Sequence, residues 1–229
     1  MIGLIGGMSW ESSAHYYRII NREVRARRGA TASARCLLWS FDFAEIERLQ
    51  HAGDWPALAE RMADAARRLE GAGADLLLLC TNTMHKVADA LEGAVSVPLL
   101  HIADPTAAAI AAAGLHRVGL LGTAFTMEQD FYRGRLERNH GLDVLVPDAA
   151  DRAEVHRIIY DELVAGIVAP TSRDTYRAVI ARLVARGAQA IVLGCTEIML
   201  LVDATDSAVP LFDTTALHAH AAVDAALAN

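Results

Sequence analysis

The chain has 229 residues, enough for one large or two compact domains. Its formal net charge of -7 leaves no basic field to neutralise phosphates, which excludes nucleic acid as a partner. Three widely spaced cysteines (Cys36, Cys80 and Cys195) make no disulfide framework and suit a reducing, cytoplasmic setting.

The first residues, MIGLIGGMSW, carry neither a positive leader nor a long apolar core, so they read as the start of a fold and not as a signal peptide. Residues 2–5 (IGLI) predict a strand and 11–28 a helix. A second strand is expected at 35–41 (RCLLWSF), a helix at 55–71 and a strand at 75–79 (DLLLL). There follow a helix at 84–92, a strand at 97–101 and a helix at 105–113. The apolar stretch 103–122 is interrupted by Pro105, Gly114, His116 and Arg117, so it predicts a helix, a turn and a strand at 117–121 and not a membrane span. The remaining pattern is helix 127–139, strand 143–146, helices 149–166 and 172–186, strand 189–193 and a last helix over 214–228. Nearly continuous apolar strands alternating with helices imply α/β architecture, with parallel sheets flanked by helices.

The chain also echoes itself. IGLIGG (2–7) is matched by VGLLGT (118–123), and GADLLLLCTNTM (73–84) by GAQAIVLGCTEIM (187–199). Similar spacing across both matches predicts two pseudo-symmetric domains, residues 1–103 and 104–211, with a C-terminal helix of about 212–229 packing back on the first. Counted without gaps, Leu79 falls on Leu193, Cys80 on Gly194 and Thr81 on Cys195.

Ligands of open α/β sheets bind beyond the carboxyl ends of strands. Four such ends are small or polar: GGMS (6–9), CTNT (80–83), GTAFT (122–126) and GCTE (194–197). Each precedes a predicted helix, whose free N–H groups attract a carboxylate or phosphate. Facing each other, they would form a small pocket for an acidic metabolite. The glycines do not fit a dinucleotide or P-loop fingerprint. His218 and His220 lie on different helical faces, so no metal site is expected there. Cys195, at a strand end before a helix, is expected to have a lowered thiol pKa. Cys36 reads as packing.

The segments GLIGGMSWES (3–12), CTNTMHKVAD (80–89), LHIAD (100–104), TMEQDFYRGRL (126–136) and GCTEI (194–198) resemble the aspartate/glutamate racemase superfamily, in its amino-acid racemase branch. The resemblance implies two α/β domains with the active site in the cleft between them, no cofactor, a small amino-acid substrate and a homodimer. In that family each domain supplies one cysteine, and the two work on opposite faces of the substrate's Cα. Here the second motif is intact at Cys195, while the first places Thr81 where the family has cysteine, in agreement with the internal count. Threonine is too weak an acid to serve as an unassisted base, so a lopsided enzyme is expected, with Cys195 and Thr81 as its catalytic pair. The resemblance gives Asn82, Thr83 and Thr196 to the substrate carboxylate, with Met8, Ser9, Gln50, Thr123 and Met127 as lining residues. Arg48 is the candidate cation for an acidic side chain, and Glu197 is placed to orient Cys195 or receive the substrate ammonium. The residues leave open a broader racemase taking amino acids such as homoserine, and a binding protein that has lost catalysis.

Overall fold

The computed structural model describes residues 1–228. It divides into two compact units: Met1–Ile102 with the segment from His218, and Ala103–Leu217.

The first unit runs β1 (Ile2–Gly6), α1 (Trp10–Arg28), β2 (Cys36–Ser40), α2 (Phe43–Ala52), α3 (Trp55–Gly71), β3 (Leu76–Leu79), a 3-10 turn (Thr83–Val87), α4 (Ala88–Glu92) and β4 (Leu99–Leu100). The second runs α5 (Ala103–Ala112), β5 (Arg117–Gly122), α6 (Ala124–Glu128), α7 (Asp130–His140), β6 (Asp143–Leu145), α8 (Ala149–Asp161), α9 (Pro170–Ala185), β7 (Ala190–Gly194), α10 (Ile198–Leu201) and β8 (Leu211–Asp213). The last helix, α11, spans Thr214–Leu227.

Each unit holds one parallel four-stranded sheet, and the two orders match: β2-β1-β3-β4 and β6-β5-β7-β8. The central strands β1, β3 and β7 are buried along their whole length. That is why they read as unbroken apolar runs and not as alternating ones. In the first unit one side of the core gathers Ile2, Leu4, Tyr16, Leu78 and Cys80 with Ala219, Ala222 and Val223 of α11. In the second, Leu121, Val155, Ile158, Tyr176, Val179 and Leu193 pack together.

Local departures from the sequence reading have local causes. The helix α2 is not foreseen by periodicity: Asp42 caps it by accepting from the Ala44 N–H at 3.0 Å, and only Ile46 and Gln50 are buried along it. So narrow a stripe falls short of a helical period. Strand β8 also escapes the sequence reading, because its three residues owe their conformation to pairing with β7. The predicted helix 127–139 begins earlier and divides at Gln129, whose extended backbone (φ -95°, ψ 154°) separates α6 from α7. The predicted helix 149–166 stops at Asp161. Among the described residues no helix is long and apolar enough to cross a membrane.

Candidate functional site

The strand registers place the candidate residues. In the first unit Ile5 pairs with Leu79, and in the second Leu121 pairs with Leu193. Two residues beyond each pair stand Thr81 and Cys195. With Ile5 and Leu121 matched as in the internal echo, the pairing agrees with the offset counted from the sequence.

The positions just before them differ. Gly194 has no room for a side chain, since a Cβ there would lie 2.9 Å from the Leu121 carbonyl and 2.8 Å from Leu120 Cδ1. Cys80, at the matching place, carries its side chain into the first core and is fully buried. Burial pushes its thiol far above the ordinary range, so it holds its proton.

In the second unit Cys195 is 8% exposed. Its Sγ donates to Glu197 Oε2 at 3.0 Å, and Thr196 Oγ1 donates to the same oxygen at 2.9 Å. The expected lowering of the Cys195 pKa is overturned. Burial raises it first, the Glu197 charge and hydrogen bond raise it further, and the N–H groups of Thr196 and Glu197 oppose them without prevailing. The Cys195 thiol thus faces the Glu197 carboxylate at hydrogen-bond distance.

In the first unit Thr81 is 7% exposed. Its N–H donates to Leu79 O at 2.8 Å, closing a γ-turn around Cys80. This bend carries the chain from the strand into the turn and frees Cys80 and Thr81 from strict alternation of faces. The Thr81 carbonyl accepts from His85 Nδ1 at 2.8 Å. Asn82 and Thr83 are buried in the same turn, and Asn82 O accepts from the His85 N–H at 3.1 Å.

The other predicted residues are placed as follows. Ser9 caps α1, accepting from the Ser12 N–H at 3.4 Å, and Thr123 caps α6 through the Thr126 N–H at 3.3 Å. Gln50 is buried on α2, its Nε2 3.2 Å from Met84 Sδ. Met8 and Met127 sit in the two hydrophobic cores, so packing accounts for both. Arg48 is exposed on α2. The sequence reading also predicts a helix terminus at each strand end. Only α1 is long; α6 has five residues and α10 four. The helices beyond β5 and β7 are too short to add a helix dipole to their terminal N–H groups.

His85 and His101 lie near strand ends in the sequence, where a histidine is more often structural; the bond from His85 to the Thr81 carbonyl is not among the sequence expectations.

A family model described as Asp/Glu/Hydantoin racemase matches residues 5–222. The broad specificity amino-acid racemase RacX of Bacillus subtilis (strain 168) is 29% identical over 178 residues, covering 76% of this chain and 75% of the relative. Among solved structures, a Yersinia pestis protein proposed to be an Asp/Glu racemase is 57% identical with a TM-score of 0.92, over 99% of this chain and 98% of its own. An aspartate racemase homologue from Pyrococcus horikoshii OT3 is 32% identical with a TM-score of 0.85, again over 99% and 98%.

Proposed function

The chain belongs to the Asp/Glu/hydantoin racemase family, a family of isomerases, and on that premise we propose that it racemises aspartate and glutamate without a cofactor. Cys195 and Thr81 act on opposite faces of the substrate Cα. The observation that carries this is their shared place, each two residues beyond a paired leucine at the carboxyl end of a central strand.

In one direction the Cys195 proton passes to Glu197 along their 3.0 Å hydrogen bond. The thiolate then takes the Cα proton: the C–H bond breaks, an S–H bond forms, and the electron pair spreads into the substrate carboxylate. A proton delivered from the Thr81 side forms the new C–H bond on the other face, and solvent replaces it. In the reverse direction a solvent base on the Thr81 side takes the Cα proton, the Cys195 thiol gives its own to the opposite face, and Glu197 returns a proton to the sulfur along the same contact. Positioned acid/base groups of this kind are worth roughly 100- to 10,000-fold in rate. Asn82, Thr83 and Thr196, with neighbouring N–H groups, hold the substrate carboxylate. The working form is a cytoplasmic homodimer, a part of the reading that rests on the family likeness.

One observation favours a second reading. Arg48 is exposed on α2, so that helix offers no buried cation for an acidic side chain, and one relative is named for broad specificity. The substrate is then a neutral or hydroxylated amino acid such as homoserine.

The test is incubation in D2O with L- and D-aspartate, glutamate and homoserine, following loss of the Cα proton by NMR. Fastest exchange with the acidic pair supports the first reading, and with homoserine the second. No exchange with any of them overturns both and leaves a binding protein.

A further inference from the structure

Two matching carbonyls are capped in different ways. In the second unit Cys195 O accepts from the backbone N–H of Ile198 at 3.2 Å, within its own turn. In the first unit Thr81 O accepts from an imidazole, His85 Nδ1, at 2.8 Å. The other ring nitrogen, Nε2, accepts from the Ile102 N–H at 3.2 Å. A nitrogen that accepts carries no proton, so the ring is neutral with its hydrogen on Nδ1. Ile102 is the last residue of the first unit before the chain leaves it.

His85 is held from behind. His101 lies with its ring centroid 4.4 Å away, and His218 at 6.0 Å. His218 is pinned in turn: Nε2–H donates to Leu100 O at 2.8 Å, and Nδ1 accepts from the Tyr16 hydroxyl at 2.9 Å. All three rings are buried. Residues of α1, β4 and α11 thus hold one ring, whose outward hydrogen bond ends on Thr81.

We propose that His85 is a positioning residue for the Thr81 side of the reaction: its Nδ1–H fixes the Thr81 peptide in the bend after β3, and the Ile102 N–H fixes the tautomer that allows this. The inference rests on the racemase reading, and it predicts damage on one face of the substrate only. Displacing a reacting group by about 1 Å costs roughly 100-fold, so losing this one support is expected to cost about tenfold or more.

Two variants divide the ring's functions. His85→Asn keeps an N–H donor at the Nδ1 position, whereas His85→Gln keeps an acceptor at the Nε2 position and loses the donor. In D2O, inversion requires both faces, while deuterium uptake with retention at the Cys195 face requires only one. His85→Gln should lose inversion about tenfold or more, with KM and retention exchange within about threefold of wild type. His85→Asn should keep all three within about threefold. Equal losses on both faces, or the same loss of inversion in both variants, overturns the inference. A readout independent of turnover is the 15N spectrum of histidine-labelled protein near neutral pH, with His85→Asn used for assignment. His85 should show a protonated Nδ1 and a bare Nε2, and the opposite tautomer overturns the inference. If wild type exchanges no amino acid, the racemase reading falls, and the spectrum alone then decides whether His85 holds the Thr81 turn.

Discussion

The Sγ of Cys195 donates a hydrogen bond to Oε2 of Glu197, two residues along the chain, at 3.0 Å. A carboxylate that close stabilises the thiol over the thiolate.

Glu197→Gln removes the charge that, after burial, does most to raise the Cys195 pKa. The pH midpoint for alkylation at Cys195, followed by peptide mass spectrometry, should move to lower pH. The same sign governs stability. A thiol whose folded pKa lies above its free value of about 8.5 loses stabilisation as pH rises through and beyond that value. Wild type should therefore weaken in alkali more steeply than the variant. An unmoved or higher midpoint would show that the contact is absent in solution.

Thr81→Cys places a thiol where the matching position of the second unit already has one. A thiol near its free pKa supplies a few per cent thiolate at neutral pH, which a threonine hydroxyl does not. Inversion measured from both enantiomers should rise about tenfold or more, while Cys195→Ser lowers it about 100-fold or more. An unchanged rate in Thr81→Cys, with the introduced thiol alkylating readily, would remove this position from the reacting groups.

The residues before the pair should respond in opposite ways. Gly194→Ala forces a Cβ to 2.9 Å from the Leu121 carbonyl and should cost about 1–3 kcal/mol in denaturant unfolding, with loss of exchange as Cys195 is displaced. Cys80→Ala only empties a small volume in the first core, so it should cost about 1 kcal/mol and leave exchange within about twofold. Loss of exchange in Cys80→Ala would bring Cys80 into the chemistry.

Asp104 is gripped by Arg135, with Nε and Nη2 each 2.7 Å from a carboxylate oxygen, and by His140 at 3.0 Å. Burial works against its charge, but the hydrogen bonds to Arg135 and His140 outweigh it and hold the pKa below the usual range. With both partners about a third exposed (31% and 35%), water screens the pair, and Arg135→Ala should cost only about 1 kcal/mol. A lowered carboxylate pKa stabilises above the free value of about 3.9 and is lost as pH falls through the folded pKa. The difference between wild type and variant should shrink in acid unfolding. A gap that persists below that range would mean that packing, and not charge, is what Arg135 supplies.

Much of the fold is legible in the sequence because its signals are local. IGLIG and LLLL announce strands buried on both faces, and the echo between halves aligns Thr81 with Cys195. The elements that escape the sequence are those whose conformation is lent by neighbours: β8 by β7, and the narrow α2 by its Asp42 cap. Ser9 and Thr123, expected from the sequence as lining residues, each make a helix-capping bond.

The sequence by itself determined the α/β order, the doubled plan and the match of a single thiol in one half with a threonine in the other. These follow from strand periodicity, which a few residues carry, and from a repeat that is read by comparing the two halves of the chain. Only the tertiary structure decided that the Cys195 thiol keeps its proton. It also decided that Thr81 is held by His85, and that His218 closes the support behind it through Tyr16, 202 residues away in the chain. A hydrogen bond between distant residues depends on where the backbone returns, and a pKa depends on which charge is buried beside the group; neither is written in local pattern.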